Sequence, residues 1–254
     1  MDLSDFYPFA EDLIKSEIAV LAYLRGNTYI KEKHPQVALA AEQWLPRNQV
    51  SRSGFEFNTH FDIWHQQMHP KKGFFGRFGA PRANTRLTIS TLIELNGKKL
   101  TNVSYCLSVC KLKLSDPPIP AKIVRKFHFD VTVPEETAVR RRQPHPQCHL
   151  QYCGEMVPYM KTVGCTQAQL DHMHPWLSEP RIFFWPMSLA LLIDMGLHEF
   201  PDQDSAKFRA DSCWRGLVRG QEALILSPFY EKCVEVIKDT GEKNQTLAEA
   251  FYVS

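Results

Sequence analysis

The chain lacks the marks by which many enzyme classes announce themselves. There is no Gly-x-Ser-x-Gly elbow, no phosphate-cradling glycine loop closed by Lys-Ser or Lys-Thr, and no dinucleotide fingerprint. Those absences weigh against serine hydrolases, nucleoside triphosphatases and Rossmann dehydrogenases. Cysteine is scattered rather than paired: seven residues at irregular spacing, with no Cys-x-x-Cys. An odd count fits reduced thiols in a cytosol better than a disulfide framework. The opening Met1-Asp-Leu-Ser-Asp-Phe6 is acidic and has no positive start before an apolar core, so no secretory leader is expected. Long hydrophobic runs are missing too. The most apolar stretch, Ile182 to Leu197, is broken by Pro186, Asp194 and Gly196 and is too short to span a bilayer. The expectation is a soluble, cytoplasmic protein with no membrane partner. Nor is there an excess of one charge: 30 Lys and Arg against 28 Asp and Glu leave +2. The chain as a whole is no electrostatic clamp for nucleic acid, and any basic function must be local.

What is present is an ordinary folded composition, 44% apolar and 23% charged over 254 residues, enough to bury a core. Pro8 to Arg25 reads as a helix, with Leu13, Ile14, Ile18, Leu21 and Leu24 on one stripe and Gly26 as its stop. Pro35 to Leu45 reads as a second, shorter helix. The period then falls to two. Phe55, Phe57, Phe61 and Ile63 alternate with Glu56, Asn58, His60 and Asp62. A basic loop from His69 to Arg86 separates this strand from Leu87–Leu95, and Asn96-Gly97 marks a hairpin. In the return strand the apolar parity changes between Val109 and Leu112, which predicts a bulge near Cys110. Two further strands, one over 123–133 and one running from His149 through Cys153, complete an antiparallel meander of about five. Helical signals resume at Pro186, around Phe208, Trp214, Leu217, Val218 and Leu224, and at Ser227-Pro228. That last helix is expected to bury Phe229, Tyr230, Cys233, Val234 and Ile237. The predicted class is α+β in a single domain spanning 1–254, helical over 1–50, sheet over 51–155 and helical over 180–254.

Candidate chemistry concentrates in the fourth and fifth strands. His128, Asp130 and Thr132 share one parity, and His149 and Gln151 share one across the loop. If these strands pair, two His, one Asp and one Gln lie on one face. A two-His-one-carboxylate set suits a divalent metal with open positions, the candidate cofactor, and His145 could add a third nitrogen or act as a general acid. The same residues also fit a solvated sheet face or a hydrogen-bonded ladder beneath the C-terminal helices. Thr59-His60-Phe61-Asp62-Ile63 echoes the His-Phe-Asp of 128–130, and would enlarge the cluster if the first and fourth strands were neighbours. Two basic stretches are candidate nucleic-acid contacts: Lys71, Lys72, Arg77, Arg82 and Arg86, interleaved with Phe74, Phe75 and Phe78, and Arg140, Arg141 and Arg142. Cations track phosphate and aromatic rings stack on bases in single-stranded binding. A zinc reading would draw on Cys148, Cys153, Cys165, His172 and His174, whereas Cys106 and Cys110 read as buried small hydrophobes.

The order His128-Phe-Asp130, His145-Pro-x-x-His149-Leu-Gln151, then Arg181 and Pro186 resembles uncharacterised bacterial families found near toxin–antitoxin and phage-defence genes. The likeness covers roughly residues 123–200. It implies a bacterial accessory or defence role. A leading helix, a meander, a His145-Pro146 turn and a following Cys153 also resemble a ubiquitin-conjugating enzyme, although Gln147 stands where that family has Asn and Cys153 lies on a predicted strand. The lead expectation is a nucleic-acid-associated protein of defence or toxin–antitoxin type, with phosphodiester cleavage as its candidate reaction. One His would act as base and another as acid, or a metal held by His and Asp would activate water, while Arg140–Arg142 hold phosphate. The rivals are a non-catalytic subunit that docks a partner protein and a conjugating-type enzyme using Cys153.

Overall fold

The computed structural model describes residues 10–47, 54–64, 84–97, 99–113, 119–132, 145–146, 148–152, 181–201, 204–243 and 252–253. Three helices come first: α1 (Ala10–Gly26), α2 (Thr28–Lys33) and α3 (Pro35–Arg47). Leu13, Val20, Leu21 and Leu24 of α1 are fully buried, each contributing about 1.5–3 kcal/mol of burial free energy. Asn27 caps α2, its Oδ1 accepting from the Ile30 N–H.

The sheet is built from β1 (Gly54–Trp64), β2 (Asn84–Asn96), β3 (Lys99–Lys113), β4 (Ile119–Thr132), β6 (Cys148–Tyr152) and β7 (Arg181–Phe183), hydrogen-bonded in that order. The five expected strands are therefore joined by a sixth, which is too short to show a period. Arg86, placed by sequence in a loop, lies in β2, because that strand begins at Asn84. β4 likewise begins four residues early, at Ile119, and carries Pro120 opposite Leu112. Asn96 pairs with Lys99, so the hairpin has two central residues, and Gly97 takes the positive φ of 64° that this turn requires. The bulge near Cys110 is present, but its extra residue is Val124 of β4. Val109 faces Arg125 and Cys110 faces Ile123, while the β2 pairing runs through unbroken. β5 (His145–Pro146) pairs with β8 (Tyr252–Val253) in a separate two-stranded sheet.

After the sheet come α4 (Leu189–Glu199), α5 (Ser205–Ala210) and α6 (Ser212–Lys243). Pro186 does not open α4. Ser188 caps it, accepting from the Leu191 N–H, and residues 186–188 stay non-helical. Nor does Ser227-Pro228 start a helix: Pro228 lies inside α6. The true start is set by Asp211, whose Oδ1 accepts from the N–H groups of Cys213 and Trp214. Burial of Trp214, Ile225 and Phe229 carries the helix through the proline. The expected inner face is corrected accordingly: Phe229 is buried, but Tyr230, Val234 and Ile237 are about half exposed.

One hydrophobic cluster draws on residues from Ala10 to Phe229 and fills the space between one sheet face and the helices. Phe55, Phe57, Phe61 and Ile63 of β1, Leu87, Ile89 and Ile93 of β2, and Val103, Tyr105, Leu107 and Val109 of β3 supply that face. Trp44 of α3 lies 4.6 Å from Phe55 between ring centroids. Gly196 of α4 approaches Leu87 and Leu107 so closely that a Cβ there would touch both. With helices on one face, the other parity of the same strands forms a second, polar face. Among the described residues, no helix is long and apolar enough to cross a membrane.

Candidate functional site

The register turns the polar parity into rows that run across the sheet. One row reads Asn58, Ser90, Cys106, His128, Gln151 and Arg181; the next reads Glu56, Leu92, Ser104, Asp130, His149 and Phe183. A third carries His60, Thr88, Ser108 and Lys126. Directly opposed residues of an antiparallel pair share a face, so the register positions of His128, Asp130, His149 and Gln151 are all on the polar side. The neighbourhood expected of β4 and β6 is thus present in the backbone.

A groove of about 340 Å³ crosses this face, lined chiefly by Glu56, Asn58, Ser90, Ser104, Cys106, Ser108, Lys126 and His128. His128 Nε2 lies 3.6 Å from Cys106 Sγ, and that sulfur lies 3.7 Å from Ser108 Oγ. Ser104 Oγ donates to Asp130 Oδ1 at 2.5 Å. His128 is half-buried, and burial pulls its pKa below the usual imidazole value. Asp130 opposes that pull and Lys126 adds to it. Burial likewise pushes the Cys106 thiol up, against the Ser108 hydrogen bond and the Lys126 charge, with Asp130 adding to the rise. The pair that results is an uncharged imidazole beside an uncharged thiol, with an ammonium one residue pair away.

The other expected residues are not gathered here. His145 stands in β5, on the small second sheet. His60 and Asp62 lie on β1, which β2 and β3 separate from β4, at ~4.8 Å per strand. The echo therefore builds no joint cluster with His128. Asp62 instead accepts two hydrogen bonds from Arg86, at 2.7 and 2.8 Å. This bidentate pair matches the charge of Arg86, which is no free phosphate ligand. Burial and Arg86 lower the His60 pKa, with Asp62 opposing. Lys71, Lys72, Arg77, Arg82, Arg140, Arg141, Arg142, Cys153, Cys165, His172 and His174 lie outside the described residues.

The sequence pattern marks Cys106 only as a buried small hydrophobe and assigns no role to Ser104, Ser108 or Lys126. The signal for the first three was the strict alternation Ser104-Tyr-Cys106-Leu-Ser108, which puts two hydroxyls and a thiol on the parity opposite buried Tyr105 and Leu107. Cys106 is 9% exposed, as a buried thiol should be, but it belongs to the groove and not to the core. Among the described residues, no three His, Cys, Asp or Glu side chains converge on a metal position. Comparison of the chain with protein-family models, curated proteins and solved structures finds no match.

Proposed function

We propose that the polar sheet face is the working surface of a nucleic-acid-associated protein and that its groove cleaves phosphodiester bonds. The observation that carries this reading is the groove itself, an open trough with His128 and Lys126 in its lining. An imidazole kept unprotonated can accept a proton from an attacking hydroxyl. An ammonium beside it offsets the charge that builds on a phosphate oxygen. Asn58, Ser90, Ser104 and Ser108 provide neutral hydrogen-bonding groups for sugar and base edges. His149, at the register position facing Asp130, is the candidate acid for the leaving oxygen. This division of labour suits a strand that carries its own nucleophile, the 2′-hydroxyl of single-stranded RNA. A bacterial defence or toxin–antitoxin setting comes from the sequence resemblance over residues 123–200.

The test is an assay of the purified chain against single-stranded RNA and DNA of one sequence, with and without a chelator. RNA cleavage that survives chelation and disappears in His128→Asn is the expected result. Equal cleavage of DNA would replace 2′-hydroxyl attack by attack of water. Undiminished cleavage by His128→Asn would move the site elsewhere. A second reading, the non-catalytic subunit that docks a partner protein, draws on the half-exposed Tyr230, Val234 and Ile237 of α6. These recur at i, i+4 and i+7, the spacing of one helix stripe.

A further inference from the structure

We propose that Cys106 and His128 form a two-ligand site for a thiophilic divalent ion of the zinc class, and that an ion held there shuts the groove down. The binding half stands on geometry alone; the inhibitory half rests on the function proposed above. A tetrahedral ion with metal–sulfur and metal–nitrogen bonds of about 2.3 and 2.0 Å holds those two atoms ~3.5 Å apart. Cys106 Sγ and His128 Nε2 are 3.6 Å apart, on directly opposed residues of β3 and β4 whose backbones are fixed by the ladder. Both side chains line the same open groove, so an ion can reach them and complete its shell with water. The donor pair of thiolate sulfur and imidazole nitrogen favours zinc-class and softer ions over magnesium or calcium.

Binding forms one metal–sulfur and one metal–nitrogen bond. The thiol proton passes to solvent, and the imidazole, already uncharged, gives up its Nε2 lone pair. Asp130 nearby favours a cation at this place, and Lys126 opposes it. With no third protein ligand converging among the described residues, the affinity is modest and reversible. That is the behaviour of a regulatory ion. Its effect follows from the shared atom: an Nε2 bonded to metal cannot accept a proton.

The reduced full-length chain is titrated with Co²⁺, which reports sulfur ligation as a near-ultraviolet charge-transfer band. One cobalt per chain with that band is expected in the wild type. Cys106→Ser loses the band. His128→Asn weakens the midpoint by roughly tenfold or more, since loss of even an outer-shell partner costs that much. Cys110→Ser, which removes another thiol of the same strand, leaves the band in place. A wild type without the band, or an undiminished band in Cys106→Ser, overturns the site. Circular dichroism checks that each variant is folded, and His128→Asn probes the site without touching the thiol. In the RNA assay, Zn²⁺ should inhibit wild-type cleavage roughly tenfold more potently than it inhibits Cys106→Ser, each against its own metal-free rate. Equal inhibition overturns the inhibitory half. Absence of cleavage by the metal-free wild type overturns that half together with the functional reading, and the cobalt result remains independent of both.

Discussion

Glu17 sits on α1 with no exposed surface, between the sheet and two further helices. Tyr105 Oη donates to its Oε1 at 2.6 Å, the Leu189 N–H at the start of α4 donates to the same oxygen at 3.2 Å, and Gln221 Nε2 of α6 lies 3.5 Å from Oε2. These bonds favour the carboxylate, but burial outweighs them and raises the pKa from 4.5 to about 7. The sign follows. The folded chain holds this proton more tightly than the unfolded chain, so the contribution to stability is full below pH 4.5. It falls as pH rises and is gone once pH passes 7, where both states are ionised. The rise from 4.5 to about 7 is worth about 3 kcal/mol in full. Glu17→Gln keeps an oxygen for Tyr105 and Leu189 but cannot titrate. Urea unfolding followed by tryptophan fluorescence, between pH 5 and pH 8, should show the variant gaining about 2.5 kcal/mol on the wild type across that range. The lowered pKa values of His60 and His128 act in the opposite direction, with stability lost as pH falls below their ordinary value. Both proteins share that term, and it cancels in the difference. Parallel stability curves would refute the assignment of an ionising carboxyl to the interior.

Two further outcomes can be checked. Thr91 Oγ1 is buried on the core side of β2 without a hydrogen-bond partner, so Thr91→Val should raise stability by about 1 kcal/mol in the same urea experiment, and a loss would mean that the hydroxyl is satisfied. Phe129, buried and 5.3 Å from the Phe184 ring, should cost roughly 3–5 kcal/mol when cut to Ala, whereas half-exposed His128→Asn next to it should move the thermal midpoint little; equal losses would make His128 a structural residue.

The strands were readable because the sheet is half-covered. Where one face meets helices and the other does not, Phe55 to Ile63 and Val103 to Val109 must alternate, and they do. The groove was half-readable for the same reason. Parity put His128 and Asp130 on one face, but only the register shows that Cys106 and Ser104 are their partners from β3. Pairing is a long-range choice that local pattern does not encode. The prolines misled in the helices. Pro186 and Pro228 both looked like starts, yet Ser188 and Asp211 supply the side-chain oxygens that fix the real ones. Glu17 falls by spacing on the buried stripe between Leu13 and Leu21, but a carboxylate is expected inside only with partners, and local pattern shows none. Its burial depends on Tyr105 and Gln221, 88 and 204 positions away.

Those separations bear on how the chain comes off the ribosome. Gln221 also donates to Ser16 Oγ, and Tyr23 Oη donates to Asp211, contacts that span 205 and 188 residues. At the ~5–20 residues per second of synthesis, α1 waits roughly 10–40 s for the helix that completes its surroundings. The meander can zip hairpin by hairpin meanwhile, since its first four strands pair in sequence order. The apolar stripe Leu13, Val20, Leu21 and Leu24 has to be kept from the wrong partners throughout that interval. Completion of the surroundings of α1 therefore waits on α6, and a message broken before Ser212 yields a sheet whose first helix has lost its closing contact.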